Sequence, residues 1–198
     1  MGKCTLKTDR EAPMRHNNIL DRNKTLLLIV DFQEKLLAAF NHPEEMLNNC
    51  IKLIKFAKIM NLPMLWTEQY PKGLGQTVDD IKTELSSIVE PIEKLSFSCF
   101  GEPGFTDAIS RHDATQILIC GIETHICVEQ TILDGLECGY HMHVVADACG
   151  SRKVQDHDVG MHKMTMAGAI ATCTEMAMYE LLERSDTKEF RETLKLVK

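Results

Sequence analysis

Short apolar runs alternate along this chain with stretches of three-to-four apolar spacing, which predicts repeated βαβ units feeding a parallel sheet. The first run, residues 26–30, carries no charge and suits a strand buried on both faces, closed by Asp31. Pro43, Glu44 and Glu45 open a helix whose Leu47, Cys50, Ile51, Ile54 and Ala57 form one apolar stripe, and Asn61 with Pro63 ends it. A second strand over 63–66 stops at Thr67. A loop with Pro71, Gly73 and Gly75 then leads to a helix on Ile81, Leu85 and Ile88, capped by Thr77 with Asp80. Further strands are expected over 92–95, 116–120 and 143–146, the last ending at Asp147, with a short one near Ile170. A short helix ends near Arg111, a longer one covers 124–137 and is stopped by Gly139, another ends at Gly168, and two close the chain on Leu181 with Leu182 and on Phe190, Leu194 and Val197. The expected fold is α/β: a three-layer α/β/α sandwich around a mostly parallel, Rossmann-like sheet of about six strands.

Composition narrows this. A chain of 198 residues, 44% hydrophobic and 26% charged, suits a single domain, predicted over 25–198. Residues 1–24 are charged and aperiodic, and read as an N-terminal arm without a core of its own, suited to lying across a neighbouring subunit. The 22 Lys plus Arg against 29 Asp plus Glu give a net charge of -7, which argues against a nucleic-acid partner. The apolar runs are too short to span a membrane and the first twenty residues lack a secretory leader's apolar core, so neither is expected. Eight cysteines are scattered through apolar stripes without a CxxC pair, which fits reduced thiols and a cytoplasmic location.

Ligands of open parallel sheets bind beyond the carboxyl ends of the strands, so the strand ends are where chemistry is sought. Asp31, Thr67, Lys94, Gly121 and Asp147 all stand at or near such ends. With Thr124 as N-cap, Cys127 falls in the first helical turn, where free N–H groups favour a thiolate; the same position also suits a buried core cysteine. Asp31 serves as a base in that crevice or as a helix cap. Lys94 serves as a local cation or as an ordinary surface charge. His125, two helical steps before Cys127, is rotated away from it, while His141 and His143 share a strand face with no further metal ligand at the right spacing. Gly73-Leu74-Gly75 lacks the third glycine of a dinucleotide fingerprint, so no cofactor is expected.

The stretches Val30-Asp31-Phe32-Gln33, Glu93-Lys94 with Phe97-Ser98 and Phe100, and Gly121-Ile122-Glu123-Thr124-His125-Ile126-Cys127-Val128 resemble the isochorismatase-like cysteine hydrolase superfamily, which includes nicotinamidases and N-carbamoyl amidohydrolases. The resemblance runs from about residue 26 to 177. It implies a triad of Asp31, Lys94 and Cys127 and a cis peptide between Ile122 and Glu123 aiming backbone N–H groups, Cys127's among them, at a reacting oxygen. Gln33, Tyr70, Phe97 and Phe100 are candidate substrate contacts, with Phe32 and Trp66 as further candidate walls; of the aromatic residues Tyr70 and Phe97 fall in rim loops, while Phe32, Trp66 and Phe100 suit the core better than a contact. The Thr67-Glu68-Gln69-Tyr70 segment lacks the Asp-x-His pair of metal-dependent nicotinamidases, so it resembles the metal-free, often oligomeric subgroup, and no metal is implied. The expected activity is hydrolysis of a C–N bond in a small molecule through an acyl-Cys127 intermediate, by a homo-oligomer. The alternatives are vinyl ether hydrolysis of the isochorismate type, or a non-catalytic, redox-sensing member of the fold.

Overall fold

The computed structural model describes residues 15–197. Strand β1 is Thr25–Val30, followed by a single helical turn α1 (Glu34–Leu37) and the long helix α2 (Glu44–Met60). Next come β2 (Met64–Gln69), the turn α3 (Pro71–Leu74), α4 (Asp79–Leu85), β3 (Ile92–Lys94), a 3-10 turn over Cys99–Gly101 and α5 (Pro103–Ile109). The second half contains β4 (Gln116–Ile122), a π-helical turn over Thr124–Val128 running into α6 (Glu129–Glu137), β5 (His141–Gly150), α7 (Val154–Met166), β6 (Ile170–Thr172), α8 (Thr174–Leu182) and α9 (Lys188–Val197).

The six strands form one parallel sheet in the order β3-β2-β1-β4-β5-β6, with helices on both faces, as the apolar pattern predicts. Helix α2 packs with α4, α8 and α9 on one side, and α6 with α7 on the other. Every residue of β1 and β4 is buried, which is why neither shows alternation in sequence. The chain builds outward from β1 to β3, then returns to lay β4 on the other side of β1. The direction of winding therefore reverses between β1 and β4, and a crevice opens there at the carboxyl edge.

Three local expectations are corrected. Strand β5 does not stop before Asp147; it runs to Gly150 through a register shift opposite Ile119 and Gly121. Asp147 Oδ1 instead accepts the Thr174 N–H (2.8 Å) and hydroxyl (2.9 Å), so this carboxylate ties down the start of α8. Thr77 does not cap α4: Val78 holds the N-cap position and the Thr77 hydroxyl has no hydrogen-bond partner among the described residues, while its N–H donates to the buried Glu68 carboxylate at 2.7 Å. Thr124 is not an N-cap either: it lies inside the π-helical turn and its hydroxyl pairs with His157 Nδ1 at 2.9 Å.

Of the predicted arm, residues 1–14 lie outside the described residues. Residues 15–24 lie on the same chain, with Leu20 fully buried and Arg15 bonded to the Leu20 and Glu180 carbonyls and to Glu183. Among the described residues no helix is long and apolar enough to cross a membrane.

His143 in β5 is wholly buried, with neither ring nitrogen hydrogen-bonded among the described residues, and burial followed by repulsion from His141 pushes its pKa down to about 4. Between that value and the ordinary 6.5 the unfolded chain binds a proton the native ring refuses, so stability falls as pH drops through this window. The loss should approach about 3 kcal/mol at its acid end. Urea titrations across the window should show a shallower pH dependence for His143→Val than for the unsubstituted protein; equal slopes would contradict this.

Candidate active site

The strand register brings the ends of β1, β2 and β4 level: Val30 pairs with Thr67 on one side and with Gly121 on the other. Gly121 has φ 149°, and a Cβ there would fall 2.4 Å from the Val30 carbonyl oxygen. Only glycine lets β4 press this closely on β1 and deliver the following turn to the end of β1. On the far side Gly160 of α7 packs against the His125 backbone, where a Cβ would meet Cα at 3.1 Å, so the turn is held from both directions.

Asp31 follows β1 in a left-handed conformation (φ 55°) and is fully buried. The Thr67 hydroxyl donates to its Oδ1 at 2.7 Å. Lys94, at the end of the edge strand β3, points inward with no exposed side-chain surface, and its Nζ lies 2.8 Å from Asp31 Oδ2. This approach is an ion pair outside hydrogen-bond geometry, and Oδ2 has no hydrogen-bond partner among the described residues. Burial opposes the Lys94 charge, but attraction by Asp31 prevails and its pKa is raised. Lys94 is thus no solvated surface charge.

Cys127 sits in the π-helical turn, 5% exposed. Burial, reinforced by the Asp31 charge and by contact with that carboxylate, holds its pKa far above the ordinary thiol value, although Lys94 pulls the other way. Desolvation and a neighbouring anion thus outweigh the helix N-terminus and favour the thiol over the thiolate. Ile126 and Val128 both donate their N–H to the Glu123 carbonyl, at 3.0 and 3.3 Å. The Ile122–Glu123 peptide is cis. Ile122 is buried at the end of β4, and the Glu123 carboxylate accepts the N–H and Nε–H of Arg152, fastening the β5–α7 connection to the cysteine turn. His125 turns to Ser151, Nδ1 to Oγ 2.9 Å.

The expected substrate contacts separate into two groups. Tyr70 and Phe97 are half exposed at the rim. Tyr70 lines a cavity of about 350 Å³ that reaches Lys94 and Leu95, although neither Asp31 nor Cys127 lines it. Gln33 and Phe100 have other work. The Gln33 amide is saturated by backbone, its Oε1 accepting the Gln69 N–H (2.7 Å) and its Nε2 donating to the Gln69 (3.0 Å) and Gly75 (2.7 Å) carbonyls. No donor or acceptor of that amide is left for a ligand beyond a second lone pair, so Gln33 clamps β2 to the loop that follows it. The Phe100 ring packs edge-on against Phe105 (centroids 5.2 Å apart) and beside Tyr140 (5.7 Å), a core role. Phe32 and Trp66 are likewise core residues, each 1% exposed.

Two neighbours of Asp31 and Lys94 escaped the sequence reading. Gln69 Oε1 accepts a hydrogen bond from Lys94 Nζ at 2.7 Å, a partnership created by the β2–β3 register in which Gln69 faces Lys94. Cys99 is a buried second thiol in the field of Asp31 and Lys94; burial and then the Asp31 charge raise its pKa to about 11, and its N–H donates to Thr131 Oγ1 at 3.0 Å. Neither has a signal in local periodicity. Among the described residues, no cluster of three His, Cys, Asp or Glu side chains is arranged to hold a metal.

The chain is similar in sequence and fold to known proteins. The family described as Isochorismatase domain matches residues 25–176. Isochorismatase domain-containing protein 2 of Danio rerio is 33% identical over 178 residues, covering 90% of this chain and 89% of its own. Among solved structures, the MAR1 ribonuclease from Caenorhabditis elegans superposes with a TM-score of 0.85 at 35% identity, covering 90% of this chain and 92% of that one. The YcaC gene product of Escherichia coli, described as an octameric hydrolase of unknown specificity, also gives 0.85, at 25% identity and 92% coverage of both chains.

Proposed function

The chain belongs to the isochorismatase family, and from that premise we propose that it is a cysteine hydrolase acting on a C–N bond of a small amide or carbamoyl compound. The observation that carries the reading is the fully buried Asp31 carboxylate, one oxygen of it without a hydrogen-bond partner among the described residues, set beside both the Lys94 ammonium and the Cys127 thiol. A protonated thiol is a poor nucleophile and needs a base at the moment of attack. Asp31 takes the proton as the sulfur bonds to the carbonyl carbon. The negative charge that develops on oxygen is met by backbone N–H groups of the cysteine turn, Cys127's foremost, within the field of the Lys94 cation. Asp31 then returns the proton to nitrogen as the C–N bond breaks and the amine departs. A water molecule, deprotonated by the same carboxylate, attacks the thioester, releasing the acid and restoring the thiol. Tyr70 and Phe97 at the rim offer apolar contacts to a small acyl group.

The test is a panel of small amides, carbamoyl compounds, esters, isochorismate and a labelled RNA, with rapid quenching and intact-mass detection of an acyl adduct mapped to Cys127. An adduct from an amide or carbamoyl compound that forms and decays at the turnover rate supports the reading; turnover of RNA or isochorismate alone, without an adduct, overturns it. RNA is included because of the Caenorhabditis elegans neighbour's name. The net charge of -7 disfavours it here, since a polyanion is bound through cationic surface.

Assembly as a homo-oligomer is part of the proposal, supported by the octameric Escherichia coli neighbour and by exposed Val154, Val159 and Met166 on α7. A cytoplasmic location is also part of the proposal, supported by eight cysteines scattered without a CxxC pair. Light scattering on the full chain and on one beginning at Asn23 should give an oligomer for the first and a smaller species for the second; two monomers would contradict assembly.

A further inference from the structure

Lys94 Nζ carries three protons, and three neutral oxygens meet them in hydrogen-bond geometry: Gln69 Oε1 at 2.7 Å, the Phe97 carbonyl at 3.1 Å and the Ser96 carbonyl at 3.3 Å. Asp31 Oδ2 lies at 2.8 Å, nearer than either carbonyl, yet outside hydrogen-bond geometry. The ammonium is thus near enough to stabilise the carboxylate by charge while its N–H bonds are spent elsewhere. Of the three acceptors only Gln69 is a side chain, and it is the nearest.

Gln69 is itself held rigidly. Gln33 grips both its N–H and its carbonyl, and its own Nε2 donates to the Leu95 carbonyl at 2.9 Å, which fixes the amide with oxygen toward Lys94 and nitrogen toward the β3 edge. An amide with both ends committed in a site 8% exposed cannot rotate without leaving a buried polar group unpaired. Its orientation is therefore imposed by the fold.

We propose that Gln69 is a positioning residue that steers the Lys94 ammonium away from hydrogen-bonding Asp31 Oδ2, so that this oxygen stays free to take the Cys127 proton. The inference rests on the cysteine-hydrolase reading above. Remove the Gln69 acceptor and one N–H is released to swing onto Oδ2, which then has a donor of its own and accepts the thiol proton less readily.

The probe is iodoacetamide alkylation of Cys127, followed by intact mass and peptide mapping across the neutral to alkaline range, with thermal midpoints recorded for every variant. Alkylation forms a carbon–sulfur bond, expels iodide and leaves the thiol proton with the base, so it reads proton acceptance by Asp31 without a known substrate. Gln69→Leu should slow alkylation at neutral pH about tenfold, as expected for one redirected charge-assisted hydrogen bond, and shift its rise to higher pH. Gln69→Asn keeps a polar amide but falls one methylene short of Nζ, and should behave alike even if the Leu variant folds poorly. In Asp31→Asn, which slows alkylation by itself, adding Gln69→Leu should cost nothing more, a non-additivity that a general loosening of the site does not produce. Unchanged rates in both Gln69 variants, or a full additional loss in the double variant, overturn the positioning role while leaving the hydrolase reading intact. An unchanged rate in Asp31→Asn removes the base itself and overturns both.

Discussion

Replacing Lys94 by Met is expected to destabilise the protein by about 3–5 kcal/mol and to abolish turnover together. Methionine fills much of the same volume, so the loss is not one of packing. It arises because Asp31, fully buried, keeps its charge without the cation 2.8 Å away. The Thr67 hydroxyl then remains as a donor to the carboxylate, without a cation to balance its charge. The sign of the pH dependence follows. The penalty of burying an unmatched carboxylate is present while the group is charged and shrinks as acid protonates it. Urea unfolding of Lys94→Met should therefore show its largest deficit near neutrality and approach the unsubstituted protein in acid. Adding Asp31→Asn should restore much of the stability, because a neutral pair no longer buries an unmatched charge, while leaving the protein inactive. A Lys94→Met protein as stable as the original at neutral pH would show that the carboxylate does not depend on the ammonium.

Cys127→Ala is expected to separate the two properties. Turnover of any substrate found in the panel should fall by roughly 10⁴-fold or more, the consequence of losing a covalent nucleophile rather than an orienting contact. Stability should change by about 1 kcal/mol or less, since the thiol is small and its removal takes away a group whose ionisation burial already suppresses. The measurement is kcat/KM beside a thermal midpoint. Retained turnover would remove the thioester route and favour vinyl ether hydrolysis or another water-attack chemistry. A large drop in stability would instead assign Cys127 to the core, the bland alternative that its place in the sequence leaves open.

The strands were legible because burial on both faces writes itself into a sequence as uninterrupted apolar runs. Residues 26–30 and 116–120 announce β1 and β4 to within a residue or two, and the sheet assembled around them is the expected one. Asp31 was legible as a candidate because a polar residue that terminates such a run stands at the carboxyl edge, where the topology opens, and Cys127 because it falls in the first turn of the helix that leaves that edge. Lys94 had a weaker signal, since β3 is only three residues long and its apolar pattern is broken.

What those residues do is a different matter, and the sequence alone determined little of it. It established the layered fold and the edge on which chemistry is to be sought, because both follow from which positions avoid water. Only the tertiary structure decided that Gln33 clamps backbone instead of facing a ligand, that Asp147 anchors α8, that Phe100 belongs to an aromatic cluster, that Gln69 meets Lys94, and that Cys127 rests protonated. Each of these depends on a partner tens of residues away, or on the dielectric that many chain segments create together. Periodicity records whether a position is buried; the identity of a hydrogen-bond partner and the ionisation state of a buried group are properties of the space around it.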